Sequence, residues 1–381
     1  MIPYGRQDIR QEDIDSVVAA LTSDFLTQGP LVPAFEGAVA SAAGAKHAVA
    51  VNSATSALHI ACLALKLGKG DLLWTSPITF VASANVGLLC GAEVDFVDID
   101  PETFNMSADA LARKLDAAEK AGRLPKVLMP VHMCGQSCDM EAIGDLAKRY
   151  GVRVIEDASH AIGGQFQNQP VGACVHSDIA VFSFHPVKIV TTAEGGVATT
   201  NDDTFAERMN LFRSHGVTRE PDLMVSDSHG PWYYQQIELG LNYRMTELQA
   251  ALGVAQMDRL SEYVDRRNQL AERYDAALGN LPLKRPGRLA DALSAFHLYV
   301  IRVDAEKRRA VFEALRGDGI GVNVHYIPVH LQPYYKALGF REGMFPAAEA
   351  YYSQTISIPL YPGLSDNDFA AVVGAIEKAL A

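Results

Sequence analysis

The chain has 381 residues and a formal net charge of −12, with no basic run that could offset that field, so nucleic acid and anionic membrane surfaces are disfavoured as partners. About half of the residues are apolar, yet no segment offers the ~18 uninterrupted apolar residues of a membrane span, and the N-terminal MIPYGRQDIRQEDID has no signal-peptide core. Five cysteines, Cys62, Cys90, Cys134, Cys138 and Cys174, are odd in number and scattered, which argues for reduced thiols in a cytoplasmic protein.

In chain order, the first strong pattern is HAVAVN, a predicted strand over 47–52. SATSALHIACLALKLG follows as a helix in which Leu58, Ala61, Cys62 and Leu65 recur at helical spacing. DLLWTS predicts a second strand, ITFVASANVGLLCG a helix closed by glycine, and EVDFVDID a strand of alternating apolar and acidic residues. KVLMPVH, VRVIEDAS and DIAVFSF continue the strands, with EAIGDLAKRYG as an amphipathic helix ending at Gly151 between the first two. Strands that alternate with helices predict an α/β fold, a mostly parallel sheet covered on both faces. Residues 218–238 are rich in turn formers and read as an excursion loop. A long helical pattern over 246–278 then leads to HLYVIRV, KRRAVFEALRGDGIGVNVHYIP, TISIPLYPGL and a final amphipathic helix. This change of character predicts a large α/β domain over 1–240, then a linking helix and a smaller C-terminal α+β domain over 241–381.

Ligands of open parallel sheets gather at the carboxyl ends of the strands, and three such ends carry suggestive residues. At VNSATSAL a strand ends at Asn52, and Ser53, Ala54 and Thr55 open the next helix, where free N–H groups and the helix dipole suit a phosphate. An ordinary Ser/Thr helix cap fits the same residues. At VIEDASHAIGG, Asp157 follows an apolar strand, so its carboxylate is expected partly buried and in need of a cation, with His160 facing the same pocket. The alternative is a turn-capping Asp157 beside a surface histidine. At FSFHPVKIVTTAEGG, Lys188 ends a buried strand in small apolar surroundings that favour the neutral amine, and Ser183 lies close enough to reach a phosphate. A solvated surface lysine is the plain alternative. Phosphate cradle, buried carboxylate and activated lysine, in that order, are the parts that a pyridoxal 5'-phosphate (PLP) site requires. HMCGQSC brings His132, Cys134 and Cys138 together without a second pair at zinc-site spacing, so no metal is predicted. The aromatic PWYYQQ fits either loop packing or an interface.

Nine segments in order resemble the sugar aminotransferases of the DegT/DnrJ/EryC1/StrS family: DFLTQGP, NSATSAL, PITFVASAN, PVHMCGQSCDM, EDASHAIGG, FSFHPVK with TTAEGG, FRSHG, GLNYRMTELQAALG and VHYIPVH. The resemblance runs nearly end to end. It implies the PLP-dependent transferase fold type I, which is aspartate aminotransferase-like, and a homodimer with shared active sites. It also implies ping-pong transamination with L-glutamate as amino donor. By the same resemblance Lys188 holds PLP covalently and moves the proton, and Asp157 pairs with the pyridinium nitrogen. His160 stands where many members have a glutamine that contacts the cofactor's 3-oxygen. Ala54, Thr55 and Ser183 receive the phosphate, Asn242 reaches it from the other subunit, and Phe80 stacks on the ring. HPVK, FRSHG and VHYIPVH are similar to members acting on a UDP-linked 4-keto-6-deoxy sugar. That implies substrate contacts at Tyr4, Asp24, Phe25, Leu26, Thr27, Val324, His325, Tyr326 and Ile327, with Ala54, Ser183 and Asn242 shared. Arg213, His215 and Arg244 are further candidates for substrate anions. Three rivals within the resemblance are a sugar dehydratase, in which histidine replaces the lysine, a non-catalytic binding member, and another nucleotide-sugar C4 or C3 aminotransferase with the same chemistry, acting on a UDP D-gluco, GDP or dTDP sugar. Lys188 argues against the first, although His185 is near, and the intact set of Lys188, Asp157 and Ser183 argues against the second.

Overall fold

The computed structural model describes all 381 residues, Met1 to Ala381. Its centre is a seven-stranded sheet built from β1 (His47–Val51), β2 (Leu72–Thr75), β3 (Glu93–Phe96), β4 (Val127–Met129), β5 (Arg153–Asp157), β6 (Ile179–Ser183) and β7 (Gly196–Thr200), in the order β1-β7-β6-β5-β4-β2-β3. Pairing is parallel from β6 through β5, β4 and β2 to β3, while β7 runs antiparallel to both of its neighbours. The apolar runs of the sequence are continuous because both faces are covered: in β6, Ile179 and Val181 pack into one core cluster and Phe182 into another.

β7 has no counterpart among the predicted strands. Its GVATT lacks alternation, and its threonines are buried with their hydroxyls spent on carbonyls, Thr199 donating to Gly172 O at 2.9 Å and Thr200 to Asp178 O at 2.7 Å. The helix expected over 78–91 is shorter, Ala82–Leu89, because the residues before it turn to meet the C-terminal lobe, where Val329 N–H donates to Pro77 O at 2.8 Å. The excursion at 218–238 is closed at its base by an antiparallel pair, Val217–Thr218 against Gln235–Gln236.

The long helix expected over 246–278 is two helices, Glu247–Met257 and Leu260–Ala277. The first opens with a capping box, Thr246 Oγ1 accepting from Gln249 N–H while Gln249 Oε1 accepts from Thr246 N–H. At the break, Arg259 turns to the fully buried Asp13, donating to both carboxylate oxygens at 2.7 Å. The second helix sends Tyr263 and Val264 into one cluster of the sheet region and Leu270, Ala271 and Tyr274 into a separate core. That separate core is built on an antiparallel pair, Tyr299–Arg302 with Thr355–Ile358, and on helices Arg308–Gly317 and Asp366–Leu380. The chain's first residues are stitched to this C-terminal lobe, since Gly321 N–H donates to Ile2 O at 2.6 Å and Leu360 N–H to Tyr4 O at 3.0 Å.

Candidate active site

The carboxyl ends of β1, β5 and β6 open into one cavity of about 860 Å³. At its first wall β1 gives way to helix Ala54–Ala64. Ser53 is extended and its Oγ accepts from Ser56 N–H at 3.1 Å, so the serine does cap the helix as the plain reading held. The N–H groups of Ala54 and Thr55 nevertheless make no intramolecular hydrogen bond, and both residues line the cavity. Two unspent donors at a helix N-terminus form a cradle for an anion. Gly196 presses against this turn so closely that a Cβ there would lie 2.5 Å from Ala54 N and Ser53 C. This explains the glycine that ends TTAEGG. Ser183, the last residue of β6, adds a hydroxyl with no intramolecular partner.

Asp157 closes β5 at 4% exposure. Its Oδ2 accepts from Ser83 Oγ at 2.6 Å and its Oδ1 from Ser159 N–H at 3.2 Å. The second bond is the turn-capping role; the first is not. No lysine or arginine pairs with this buried carboxylate, so its charge faces the cavity without a counterion, and a protonated ring nitrogen would supply one.

Lys188 sits in the turn that follows β6. Thr191 Oγ1 and Thr192 N–H both bond Phe184 O, and Phe184 N–H bonds Gly195 O at 3.0 Å, so the hydroxyl and small residues of IVTTAEGG fold the loop back on the strand end. The amine has no hydrogen bond and no ion pair. Burial pushes the Lys188 ammonium down to about 8 from its ordinary 10.5, opposed by the charge of Asp157. An amine poised there gains and loses a proton near neutral pH, the condition for Schiff-base formation and for proton transfer.

Three imidazoles complete the inner wall. Burial, with the Lys188 charge second, pushes His160 and His297 well below their ordinary value and His325 down to about 4. These three shifts favour the neutral imidazoles, and Lys188 is the one lysine or arginine among the lining residues, which also include His185 and the carboxylates of Asp157 and Glu194.

Of the residues expected at the site, Tyr4, Ser53, Ala54, Thr55, Phe80, Asp157, His160, Ser183, Lys188, His325 and Tyr326 line this cavity. Asp24, Phe25, Leu26 and Thr27 form an exposed loop tied back by Glu247 N–H to Leu26 O, and Val324 and Ile327 also stand outside the single-chain cavity. Asn242 lies on a bridge to Ser214, likewise outside the wall. Arg213 is not free to meet a substrate anion: its guanidinium is spent on Glu36 and on Ala50 O. His132 accepts from Cys138 N–H through Nδ1 at 3.1 Å and turns Nε2 to Glu156 at 2.6 Å. HMCGQSC thus braces the ends of β4 and β5. Ser83 and His297 were not among the expected residues. Nothing in the pattern of PITFVASAN marks Ser83 as a partner for Asp157, and a histidine ahead of an apolar strand, as in HLYVIRV, carries no signal either.

Comparison with known proteins finds relatives along nearly the whole chain. The model of the DegT/DnrJ/EryC1/StrS aminotransferase family matches residues 7–377. The chain is 40% identical to the spore coat polysaccharide biosynthesis protein SpsC of Bacillus subtilis, over 98% of this chain and 96% of that one. It is 36% identical to the UDP-4-amino-4,6-dideoxy-N-acetyl-beta-L-altrosamine transaminase of Campylobacter jejuni, over 97% and 94%. Among solved structures it resembles Helicobacter pylori PseC, an aminotransferase involved in the biosynthesis of pseudoaminic acid, with a TM-score of 0.91, 31% identity, and 100% and 99% of the two chains covered.

Proposed function

The chain belongs to the DegT/DnrJ/EryC1/StrS aminotransferase family, and from that membership we propose that it moves an amino group from L-glutamate to C4 of UDP-2-acetamido-2,6-dideoxy-β-L-arabino-hex-4-ulose, giving UDP-4-amino-4,6-dideoxy-N-acetyl-β-L-altrosamine. The enzyme is a PLP-dependent sugar aminotransferase. The observation that carries the reading is the meeting, in one cavity, of an unpaired lysine amine, a buried carboxylate without a cation, and two unspent N–H donors at a helix N-terminus.

PLP bound there supplies the electron sink that both half-reactions need. Lys188 Nζ would anchor it covalently and, once freed, would take the proton from the α-carbon of glutamate in the first half and hand a proton to C4 of the sugar in the second. Asp157, oriented by Ser83, holds the proton on the ring nitrogen. Ser53 shapes the turn whose Ala54 and Thr55 receive the phosphate together with Ser183, and Phe80 covers the ring. Tyr4, the 24–27 loop and Val324 to Ile327 serve the sugar nucleotide. Asn242 serves the phosphate of a second copy in a homodimer.

The named Campylobacter and Helicobacter relatives support this sugar. The 40% identity to SpsC favours a second reading, another nucleotide sugar aminated by the same chemistry. A half-reaction panel separates them. Borohydride reduction and peptide mass spectrometry locate the adduct, expected on Lys188. The amino form of the enzyme is then offered the 4-keto L-arabino and D-xylo UDP sugars while the visible spectrum is followed. Return of the original spectrum with the L-arabino sugar alone supports the altrosamine product. Return with the D-xylo sugar alone, or with neither, transfers the assignment to the second reading.

A further inference from the structure

His160 stands three residues after Asp157 at the cavity wall, yet both of its ring nitrogens are engaged inside the protein. Nδ1 accepts from Cys134 N–H at 3.3 Å, and Nε2 meets Tyr326 Oη at 3.2 Å. The imidazole is 6% exposed and neutral. With the lone pair of Nδ1 spent on a backbone N–H, its single proton lies on Nε2, and Nε2–H donates to the phenol oxygen. Tyr326 therefore accepts from His160 and keeps its own proton uncommitted. That hydroxyl has no other intramolecular partner, and its residue lines the same cavity as Asp157 and Lys188.

The chemistry of the cofactor says where such a donor is wanted. A pyridoxal ring held by its nitrogen at Asp157 and by its carbonyl carbon at Lys188 has its phosphate arm on one flank of that axis and its 3-oxygen on the other. Ala54, Thr55 and Ser183 take the phosphate flank. We propose that the Tyr326 hydroxyl, held in place by His160 Nε2–H, is the hydrogen-bond donor to the cofactor's 3-oxygen, an inference that rests on the cofactor placement above. His160 is then a positioning residue that acts through Tyr326. The pair joins segments far apart in the chain, since His160 follows β5 while Tyr326 comes from the C-terminal third and packs against the core cluster of the sheet.

The test is spectroscopic and independent of turnover. The loaded enzyme is titrated between about pH 5 and 10 while the visible band of the Lys188-bound cofactor is followed. Loss of the proton from the Lys188-bound nitrogen leaves the 3-oxygen's negative charge uncompensated, and a donor to that oxygen favours the deprotonated state. Tyr326→Phe is therefore expected to raise the midpoint by about one pH unit. His160→Leu should move it the same way by less, and His160→Gln, which restores an N–H donor, should bring it part of the way back. Incorporation of 3-fluorotyrosine at position 326, nearly the same size with a more acidic hydroxyl, should lower the midpoint. This keeps the test open where Tyr326→Phe folds poorly. A midpoint unmoved by both changes at Tyr326, in proteins whose Lys188 carries the reduced adduct, overturns the proposal and leaves the cofactor placement standing. Absence of any adduct on Lys188 in the wild-type protein overturns both.

Discussion

Lys188 carries an amine that the folded chain holds against its own solvation. Lys188→Met keeps the length of the stem and removes the amine, so no borohydride-stable adduct should form and turnover should fall by about a thousandfold or more. The same pair of proteins tests the burial of the amine without the cofactor. In the fold the ammonium releases its proton at about 8, whereas its ordinary value is 10.5. Between those values the unfolded chain binds more protons than the native one, so the stability of the wild type climbs with pH through that window. Relative to Lys188→Met, the cofactor-free wild type should gain at most about 1.4 kcal/mol per pH unit. Below the window the difference is flat. Urea denaturation of both proteins at about pH 7 and about pH 9.5 measures it, and a gap that does not change with pH would show that the amine is fully hydrated.

At the level of elements, the phosphate cradle depends on two pieces far apart in sequence, the first turn of helix Ala54–Ala64 and the start of β7. A Cβ at Gly196 would meet Ser53 and Ala54 backbone atoms at 2.5 Å, and backbone cannot swing aside as a side chain can. Gly196→Ala should cost about 1–3 kcal/mol of stability. It should also weaken PLP binding by disturbing the two N–H donors, whereas Gly37→Ala, where a Cβ meets nothing, should do neither. Thermal melts and a PLP titration of the two variants give the comparison. Asp157 was legible because a charged residue closing an apolar run is a conspicuous pattern; Lys188 was read as closing the next run, whereas that strand ends at Ser183 and the lysine stands in the turn beyond it. The partner Ser83 and the strand β7 were not legible. A serine's hydrogen bond across the sheet leaves no periodicity behind, and a strand of small residues and threonines, buried on both faces, has no alternation to read. The break between Met257 and Leu260 was hidden for a related reason: the sequence there stays helical in composition, and the turn is braced by Asp13 from the other end of the chain.

For the whole molecule, charge argues that one chain does not complete the site. The cavity has Lys188 as its one lysine or arginine, against Asp157 and Glu194, yet the proposed reaction brings a cofactor phosphate and a nucleotide diphosphate to it. Much of the 217–244 segment is turned outward, with Trp232 at 73% and Leu239 at 83% exposure, as expected of a surface that another copy covers. In the proposed homodimer Asn242 crosses to the phosphate of the other subunit, and this has a consequence that single variants cannot mimic. Lys188→Ala and Asn242→Ala homodimers are each defective at both sites. When the two chains are mixed, unfolded and refolded together, every heterodimer holds one site with both defects and one with neither. Random pairing should then restore about a quarter of the wild-type sites. The recovery should follow the mixing ratio and be read out by turnover and by PLP retention on desalting. If Asn242 served its own chain's cavity, each heterodimer would keep one Lys188→Ala site and one Asn242→Ala site, and mixing would recover nothing beyond the average of the parents. That outcome, or a monomer in light scattering at working concentration, would remove Asn242 from the neighbouring site and leave the cavity's missing positive charge to be found within one chain.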